Sequence, residues 1–373
     1  MKVFFLVGYI FPPQAYGGGN LIHRKLYTYL KEQGMNVVYI SMGDLLGLLN
    51  KGWQKIGSRM PFFSKIFCNF WFCWKLRHCR GLIFTDHYFY QYLLLFKVVQ
   101  RYFLKSKIIV SFFHSDYYRS GVPATFKNSL LKLRERIGYN LGDRIFTLSE
   151  HAKSEVVSVG VSPDKIKVIP PGIDPGEFIH FPKEKTNKIN LLFVGHLRPR
   201  KGLEYLFKAC AKLKNSNFVV NIVARKESPD YFQKLENLVK ENHLEKKIIF
   251  HDEFLQDNEG RKKISRQYSQ ADIFVFPSLW EGFGIVLLEA MYYKLPIITT
   301  RISAMPELVK DGDNGLLVLP EDSEALARAI SALIKNPALR EEMGRRGYQK
   351  VINTYTWETT GEKFYQIVKE LYR

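Results

Sequence analysis

The sequence predicts an α/β protein with two domains, each a doubly wound sheet of parallel strands. The chain has 373 residues, which is more than one domain usually holds. Short apolar segments alternate with helix-like segments in both halves, and this alternation is typical of parallel sheets covered by helices. Near the middle, a Pro/Gly-rich segment at 170–176 and a polar segment at 181–188 predict the linker between the domains.

The first half opens with an apolar segment, Lys2–Val7, that predicts a strand. Leu21–Gln33 follows as a helix that ends at Gly34. Ser149 is placed to cap a helix over Glu150–Val159. The remaining strands of this half are predicted at 36–41, 82–85, 107–113, 144–148 and 167–169.

The second half repeats the alternation and ends in three consecutive helices, because apolar residues recur there at helical spacing. The predicted strands lie at 189–194, 218–224, 247–250, 273–276, 296–299 and 315–319. The predicted helices lie at 203–212, 231–241, 261–269, 285–293, 323–335, 338–355 and 357–372.

The composition is that of a globular protein, with 46% hydrophobic and 24% charged residues. No apolar run approaches the ~18–20 residues that span a bilayer. A Phe-Pro-Pro string at 11–13 follows the first strand without a small-residue cleavage site, which argues against a signal peptide. Cys68, Cys73, Cys79 and Cys210 lack zinc-site spacing and suit a reducing compartment. We therefore expect a cytoplasmic protein that is soluble or peripheral to a membrane.

The net charge of +19 is unevenly distributed along the chain. Residues 51–110 hold eleven Lys and Arg against one acid, Asp86, together with 16 of the 54 aromatic residues. Basic and aromatic residues in one segment suit an anionic membrane surface. A basic surface over an aromatic core and binding to single-stranded nucleic acid remain alternatives. Because no nucleic-acid motif accompanies the segment, we expect a membrane partner and no nucleic acid.

Residues 276–291 carry the most informative motif, with Glu281 and Glu289 eight positions apart and Gly282 and Gly284 between them. The segment predicts a buried strand, a loop and then a helix. A helix that starts at a glycine-rich turn presents free backbone N–H groups to an anion. Glu289 lies about 7–8 Å farther along, at roughly 1.5 Å per residue. This layout fits a nucleotide-sugar, with its diphosphate at the helix end and hydroxyls on either side.

Three cations are placed to meet such a diphosphate. Arg198, Arg200 and Lys201 follow the predicted strand 189–194 and precede the predicted helix 203–212. Transfer from a nucleotide-sugar requires charge to be neutralised on the departing diphosphate, which fixed cations and backbone N–H groups can do.

A metal ion is the other way to neutralise that charge. Asp311-Gly312-Asp313 formally matches the Asp-x-Asp of metal-dependent transferases, but it lies in a turn-forming string before a strand. No other acidic or histidine cluster competes with it. We therefore expect no metal site and no cofactor.

Two candidates in the first half lie next to strand ends. Gly17, Gly18 and Gly19 follow the first strand and open the helix 21–33, and a loop without side chains lets a ligand approach the backbone. The string is not Gly-x-Gly-x-x-Gly, which disfavours a nicotinamide or flavin site. His114 ends the predicted strand 107–113, at the edge where sites of α/β proteins form.

The segment from Glu281 to Glu289, with its glycines, resembles the two-glutamate signature of retaining glycosyltransferases of family four, which have the GT-B fold. The resemblance covers nearly the whole chain and is weakest over 42–106. The other matching segments lie at 165–174, 195–202 and 311–317.

The resemblance implies two Rossmann-like domains facing across a cleft. An acceptor-binding domain at 1–178, joined by the C-terminal helix 357–373, would face a donor-binding domain at 179–356. The implied activity is that of a hexosyltransferase-type enzyme that retains anomeric configuration through same-face attack assisted by the leaving phosphate. With the basic and aromatic segment 51–110, we expect transfer to a glycan or lipid-linked acceptor at the inner face of the cell membrane, in polysaccharide or lipopolysaccharide synthesis.

The resemblance also assigns roles within the two-glutamate segment. Glu281 is expected to bond sugar hydroxyls and Glu289 to hold the ribose. The backbone of Phe283, Gly284 and Ile285 is expected to meet the diphosphate.

Further roles follow for residues elsewhere in the chain. Lys201 matches the family's loop lysine and is expected to contact the β-phosphate. His114 is expected to contact the transferred sugar near the reaction centre. Gly18 and Gly19 are expected to face the donor phosphates and the acceptor.

One position departs from the family pattern. After Gly195 the family usually has Arg, whereas this chain has His196, whose imidazole is a poorer phosphate clamp than a guanidinium. Either Arg198 or Arg200 can supply the missing charge. His196 also motivates the alternative of a non-catalytic GT-B subunit that binds a nucleotide-sugar or scaffolds a partner, and epimerisation of the nucleotide-sugar is a further alternative.

Overall fold

The structure is a computed structural model that describes residues 2–7, 18–41, 81–86, 107–112, 126–225, 228–251 and 258–372. The chain forms two compact units. The first unit comprises Met1–Pro171 and Trp357–Arg373, and the second comprises Gly172–Thr356. None of the described helices combines the length and the apolar character needed to cross a bilayer.

The first unit is built on a six-stranded parallel sheet with the strand order β2-β1-β3-β4-β5-β6. Its strands are β1 (Lys2–Val7), β2 (Val37–Ser41), β3 (Gly81–Asp86), β4 (Lys107–Phe112), β5 (Arg144–Thr147) and β6 (Ile166–Val168). Its helices are α1 (Gly18–Glu32), α2 (Phe126–Asn140), α3 (Glu150–Ser158) and the C-terminal α11 (Trp357–Tyr372).

The C-terminal helix α11 is part of the core of the first unit. The buried ring of Phe364 lies 5.0 Å from that of Phe84 and 6.0 Å from that of Phe146, between ring centroids. The Thr360 hydroxyl donates to the Pro170 carbonyl at 2.8 Å. Aromatic burial on this scale makes α11 an integral element of the unit rather than an appended tail.

Helix α2 is one of two described α-helices that the sequence pattern did not predict, and the other is the four-residue helix Met305–Leu308 of the second unit. Leu133 is 50% exposed and Ile137 is 45% exposed, while Glu135 on the opposite side is buried. Leu133 and Ile137 therefore lie away from the side on which Glu135 and Tyr139 are buried, so apolar periodicity misplaces the buried face of α2.

The second unit is built on another six-stranded parallel sheet, with the order β12-β11-β10-β7-β8-β9. Its strands are β7 (Ile189–His196), β8 (Phe218–Arg225), β9 (Ile248–His251), β10 (Ile273–Phe276), β11 (Ile297–Thr300) and β12 (Gly315–Val318). Its helices are α4 (Leu203–Ala211), α5 (Pro229–Glu241), α6 (Asn258–Gln270), α7 (Ile285–Tyr292), α8 (Met305–Leu308), α9 (Ser323–Lys335) and α10 (Pro337–Thr354).

The segment that enters the second unit is held at its start. Ile173 pairs with Thr356 in an isolated bridge, and its N–H donates to the Tyr355 carbonyl at 2.8 Å. The division between the units accordingly falls at Pro171, before the expected position at residue 178.

Helix α10 packs closely against the end of α7. A Cβ built on Gly344 would lie 1.9 Å from the Lys294 carbonyl oxygen, whereas the nearest atom to a Cβ on Gly347 would be Cγ of the flexible Met291 side chain, at 3.3 Å. Contacts with backbone cannot relax as contacts with a methionine can.

We predict that Gly344→Ala destabilises the protein by about 1–3 kcal/mol through overpacking. Gly347→Ala is the matched control in the same helix, where the gain of roughly 1 kcal/mol in helix propensity offsets a mild contact. Chemical denaturation of both variants measures the difference. A Gly344→Ala protein as stable as the control would contradict the close packing.

Candidate functional site

The site lies where the strand order of the second sheet reverses. From β7 the chain proceeds through β8 to β9 on one side, and from β10 it proceeds through β11 to β12 on the other. Ligands of open α/β sheets bind at the carboxyl ends of the strands at such a switch point. The loops after β7 and after β10 therefore define the site.

These two loops are locked together through their backbones. Gly202, which precedes α4, has a φ of 71°, and a Cβ at this position would lie 2.0 Å from the Pro277 carbonyl oxygen. Glycine is needed here for both its left-handed conformation and its missing side chain. The Leu279 N–H donates to the Arg200 carbonyl at 2.7 Å, which fixes one loop against the other.

A buried ion pair joins the side chains of the two loops. Lys201 Nζ donates to Glu281 Oε1, and the two side chains are 8% and 10% exposed. Arg200 Nη1 donates to the same oxygen at 3.1 Å and to the Trp280 carbonyl at 2.9 Å. The Ser278 hydroxyl also lies 3.1 Å from Glu281 Oε1. Oε2 of Glu281 has no protein partner among the described residues, so it is available to a ligand.

The charge of Lys201 depends on this pairing. Burial lowers the pKa of the Lys201 ammonium, and the Arg200 and Arg198 charges lower it too, whereas the Glu281 carboxylate opposes all three effects. The carboxylate therefore helps to keep a buried cation charged at the carboxyl end of the sheet.

Helix α7 begins beside this pair. Gly284 precedes the helix with a φ of 94°, and a Cβ there would lie 2.7 Å from the Met305 Cε. Among the described residues, the N–H groups of Phe283, Gly284 and Ile285 have no acceptor. Free N–H groups at the positive end of a helix dipole form a site for an anion.

Glu289 lies on α7, one turn beyond its start. Its Oε2 accepts a 2.8 Å hydrogen bond from the hydroxyl of Tyr268, which lies on α6. Burial raises the pKa of the Glu289 carboxyl, and the Tyr268 hydrogen bond acts in the opposite direction. The two glutamates therefore lie in the loop before α7 and on the helix itself.

The structure brings together most of the candidates that the sequence placed in the second half. Arg200, Lys201 and Glu281 are in contact, and the other members of the two-glutamate segment lie at the start of α7 or on it. His196 is half-buried at the end of β7, and Arg198 is exposed. Of the two arginines considered for the missing charge, Arg200 is the one that reaches the ion pair.

The structure describes only some of the candidate residues in the first half of the chain. Gly18 and Gly19 form the first turn of α1, so the expectation of a glycine loop before the helix is wrong at these two positions. In the next turn of this helix, the fully buried His23 places Nε2 3.0 Å from Ser111 Oγ on β4. His114 lies outside the described residues, as does most of the segment 51–110.

Two contributors to the site carried no role in the sequence interpretation. Ser278 lies inside the motif, but its contact with the Glu281 carboxylate, at 3.1 Å, is visible only in the structure. Tyr268 lies eight residues before Phe276, the first residue of the motif, on another helix, and a tyrosine at that spacing carries no sequence signal.

The Asp311-Gly312-Asp313 string forms a turn, as predicted, and each of its carboxylates has a local partner. Asp311 lies 3.0 Å from Arg301 and accepts from the Leu317 N–H, and Asp313 lies 2.7 Å from Arg346. Within the described ranges, no three acidic, histidine or cysteine side chains are grouped as metal ligands. Cys210 is a buried free thiol, and the other three cysteines lie outside these ranges.

Solved structures share this fold. The Anabaena protein HepE, crystallised with UDP, superposes with a TM-score of 0.73 at 18% identity, over 99% of this chain and 100% of HepE. A likeness at this identity shows the fold, which is GT-B.

Sequence comparisons define the family. The glycosyl transferases group 1 model matches residues 176–350, and the glycosyltransferase family 4 model matches residues 16–177. The chain therefore belongs to glycosyltransferase family four.

Individual relatives match parts of the chain. An uncharacterized glycosyltransferase of Methanocaldococcus jannaschii is 30% identical over 61% of this chain and 60% of its own length. The capsular polysaccharide biosynthesis glycosyltransferase CapM of Staphylococcus aureus is 28% identical over 66% of this chain and 67% of its own length. The chain thus spans about 60% of the first of these relatives.

We predict that Glu281→Gln moves the pH dependence of nucleotide-sugar binding. Lysine is charged below its pKa, so affinity for the nucleotide-sugar falls as the pH rises through the pKa of Lys201. Loss of the carboxylate lowers that pKa further, and the fall in affinity then occurs at lower pH than in the parent protein. Titration calorimetry between pH 6 and 10 measures the shift.

Glu342→Gln serves as the control, because the exposed Glu342 carboxylate pairs, within the described part of the chain, with Arg345 and Arg346 on α10. It should leave the pH profile unchanged. A Glu281→Gln protein that folds and keeps the parental profile would show that Lys201 does not depend on this carboxylate.

Proposed function

We propose that this protein is a retaining glycosyltransferase that moves a sugar from a nucleotide-sugar to a glycan or lipid-linked acceptor without a metal ion. The observation that carries the proposal is the buried Lys201–Glu281 pair beside the free N-terminus of α7. Together, the pair and the start of α7 place a cation, backbone N–H donors and carboxylates at the switch point of the second sheet.

The donor is assigned to the second unit from its chemistry. The N–H groups of Phe283, Gly284 and Ile285 receive the diphosphate, and Lys201 and Arg200 neutralise the charge that develops when it departs. Glu289 accepts from the ribose hydroxyls. Because Oε1 of Glu281 is occupied by protein donors, Oε2 is the oxygen left for a sugar hydroxyl.

Metal independence follows from the same cations. In metal-dependent transferases a divalent ion stabilises the leaving diphosphate. Here Lys201 and Arg200 are already held at the site by Glu281 and by the Trp280 carbonyl. A preorganised cation needs no reorganisation during the reaction. We propose retention of the anomeric configuration from family membership alone. In this mechanism the leaving phosphate assists attack of the acceptor on the same face of the sugar.

The nucleotide and the pathway are proposed from the comparisons. HepE was crystallised with UDP, which makes UDP the first nucleotide to test. The relative CapM is a capsular polysaccharide glycosyltransferase, which favours a role in cell-surface polysaccharide synthesis. We assign acceptor binding to the first unit, including α11.

The acceptor is proposed to be reached at the cytoplasmic face of a membrane. The charge and aromatic content of residues 51–110 motivate this, and helix α2 adds a described surface. Leu133 and Ile137 lie one turn apart and are about half exposed, and the exposed Arg136 lies between them in sequence. Apolar side chains beside a cation suit the interface of an anionic bilayer.

A nucleotide-sugar panel tests the activity. We predict that UDP-sugars raise the melting temperature in the presence of EDTA, because ligands that bind the native state stabilise it. We expect the same donor to support transfer to a lipid-linked acceptor in EDTA, and Glu281→Ala to abolish that transfer while the protein still folds. Stabilisation without transfer would favour a non-catalytic binding subunit, and a requirement for added metal would contradict the proposed mechanism.

A vesicle assay tests the membrane surface separately. We predict that Leu133→Glu with Ile137→Glu lowers binding to phosphatidylglycerol-containing vesicles by on the order of tenfold, because partial burial of two aliphatic side chains is lost. Ile249→Glu is the matched control, since Ile249 is a similarly exposed aliphatic residue, at 44%, in the second unit. If the double variant bound these vesicles as tightly as the parent protein, the proposed membrane-binding surface would be contradicted. It would also be contradicted if the parent protein bound neutral vesicles as tightly as anionic ones.

A further inference from the structure

Tyr268 lies on α6, outside the two-glutamate segment, and its hydroxyl makes one hydrogen bond among the described residues, to Glu289 of that segment. Its hydroxyl donates to Glu289 Oε2 at 2.8 Å. We propose that Tyr268 is a positioning residue that orients Glu289 toward the ribose of the donor and so contributes to discrimination between ribose and deoxyribose. This inference rests on the proposed function.

The ring of Tyr268 is immobilised by its neighbours. Its side chain is 1% exposed. The ring stacks on that of Tyr293 with centroids 5.1 Å apart and an interplanar angle of 5°, and on that of Phe274 at 5.8 Å. A hydroxyl on a ring fixed in this way can donate only close to the plane of that ring, on the side where Glu289 Oε2 lies.

The hydrogen bond selects which carboxylate oxygen remains available. Oε2 of Glu289 accepts from Tyr268, while Oε1 has no protein partner in the described part of the chain. A ribose diol needs a carboxylate oxygen held in a fixed place, because a freely rotating side chain loses rotamer entropy on binding. Tyr268 removes that rotation before the ligand arrives.

The tyrosine also supports the charge that the diol requires. Burial disfavours the ionised form of Glu289, and the nearby Glu177 disfavours it as well, whereas the phenol hydroxyl favours it. A carboxylate that accepts hydrogen bonds from a diol must be ionised. Phenylalanine at position 268 would fill the same volume and provide neither the direction nor this support.

The test compares ribose and deoxyribose ligands. The dissociation constants of UDP, GDP and ADP, and of their 2′-deoxy and 3′-deoxy analogues, are measured by calorimetry for the parent protein, Tyr268→Phe and Tyr293→Phe. Tyr293→Phe is the matched control, since it also removes a hydroxyl from this aromatic stack. The Tyr293 hydroxyl donates to the Ile179 carbonyl at 3.0 Å instead of to Glu289.

We expect Tyr268→Phe to weaken binding of the preferred nucleotide by about tenfold, as for loss of a hydrogen bond to a charged group. Its affinity for the deoxy analogues should hardly change, so the ratio between deoxy and ribose dissociation constants should fall toward one. Tyr293→Phe should keep the parental ratio. A purely structural role of Tyr268 would weaken all ligands equally and leave the ratio unchanged, which would overturn the inference.

Glu289→Ala separates this inference from the function on which it rests. If Glu289→Ala loses the discrimination and Tyr268→Phe keeps it, Glu289 binds the ribose without help from Tyr268, and the inference is wrong while the proposed function stands. If no nucleotide binds the parent protein, or if the parent shows no discrimination, the ribose site itself is refuted.

Discussion

The buried pair between Lys201 and Glu281 is the constraint on which the site depends. It joins the loop after β7 to the loop after β10, which are 80 residues apart in sequence. Burying two charges costs several kcal/mol each before their attraction is counted, on the order of the penalties measured for buried ions. Neither residue is therefore easily tolerated without the other, and the pairing fixes both loops in one arrangement.

The backbone around the pair also holds the two loops in one arrangement. Gly202 brings its loop within contact distance of Pro277, and Gly284 lets α7 start against Met305. Because both glycines adopt left-handed backbone conformations, other residues would strain the loops as well as collide with these neighbours. The cations and the free N–H groups are consequently preorganised at one edge of the sheet.

The second unit could be predicted closely from the sequence because its signals are local. The strand Ile273–Phe276 and the helix Ser323–Lys335 were predicted with their observed bounds, since each has a continuous or periodic apolar pattern with a clear boundary. The motif from Glu281 to Glu289 marked the site because its residues are close in sequence. The position between a predicted strand and a predicted helix placed Lys201 among three candidate cations, and the family resemblance singled it out.

Other features were beyond sequence reasoning for physical reasons. Helix α2 turns Leu133 and Ile137 outward and buries Glu135, so apolar periodicity misreports its faces. The contact of Tyr268 with Glu289 arises from the packing of α6 against the sheet and has no fixed spacing. The single carboxylate oxygen shared by Lys201, Arg200 and Ser278 is likewise a tertiary property.

A crystal structure with UDP, grown in EDTA, would show whether the buried pair and the start of α7 hold the diphosphate. We predict that the diphosphate contacts the N–H groups of 283–285, with Lys201 Nζ within hydrogen-bonding distance and the ribose on Glu289. A diphosphate bound elsewhere, or one that lies at this helix end without contact to Lys201, would contradict this role of the pair.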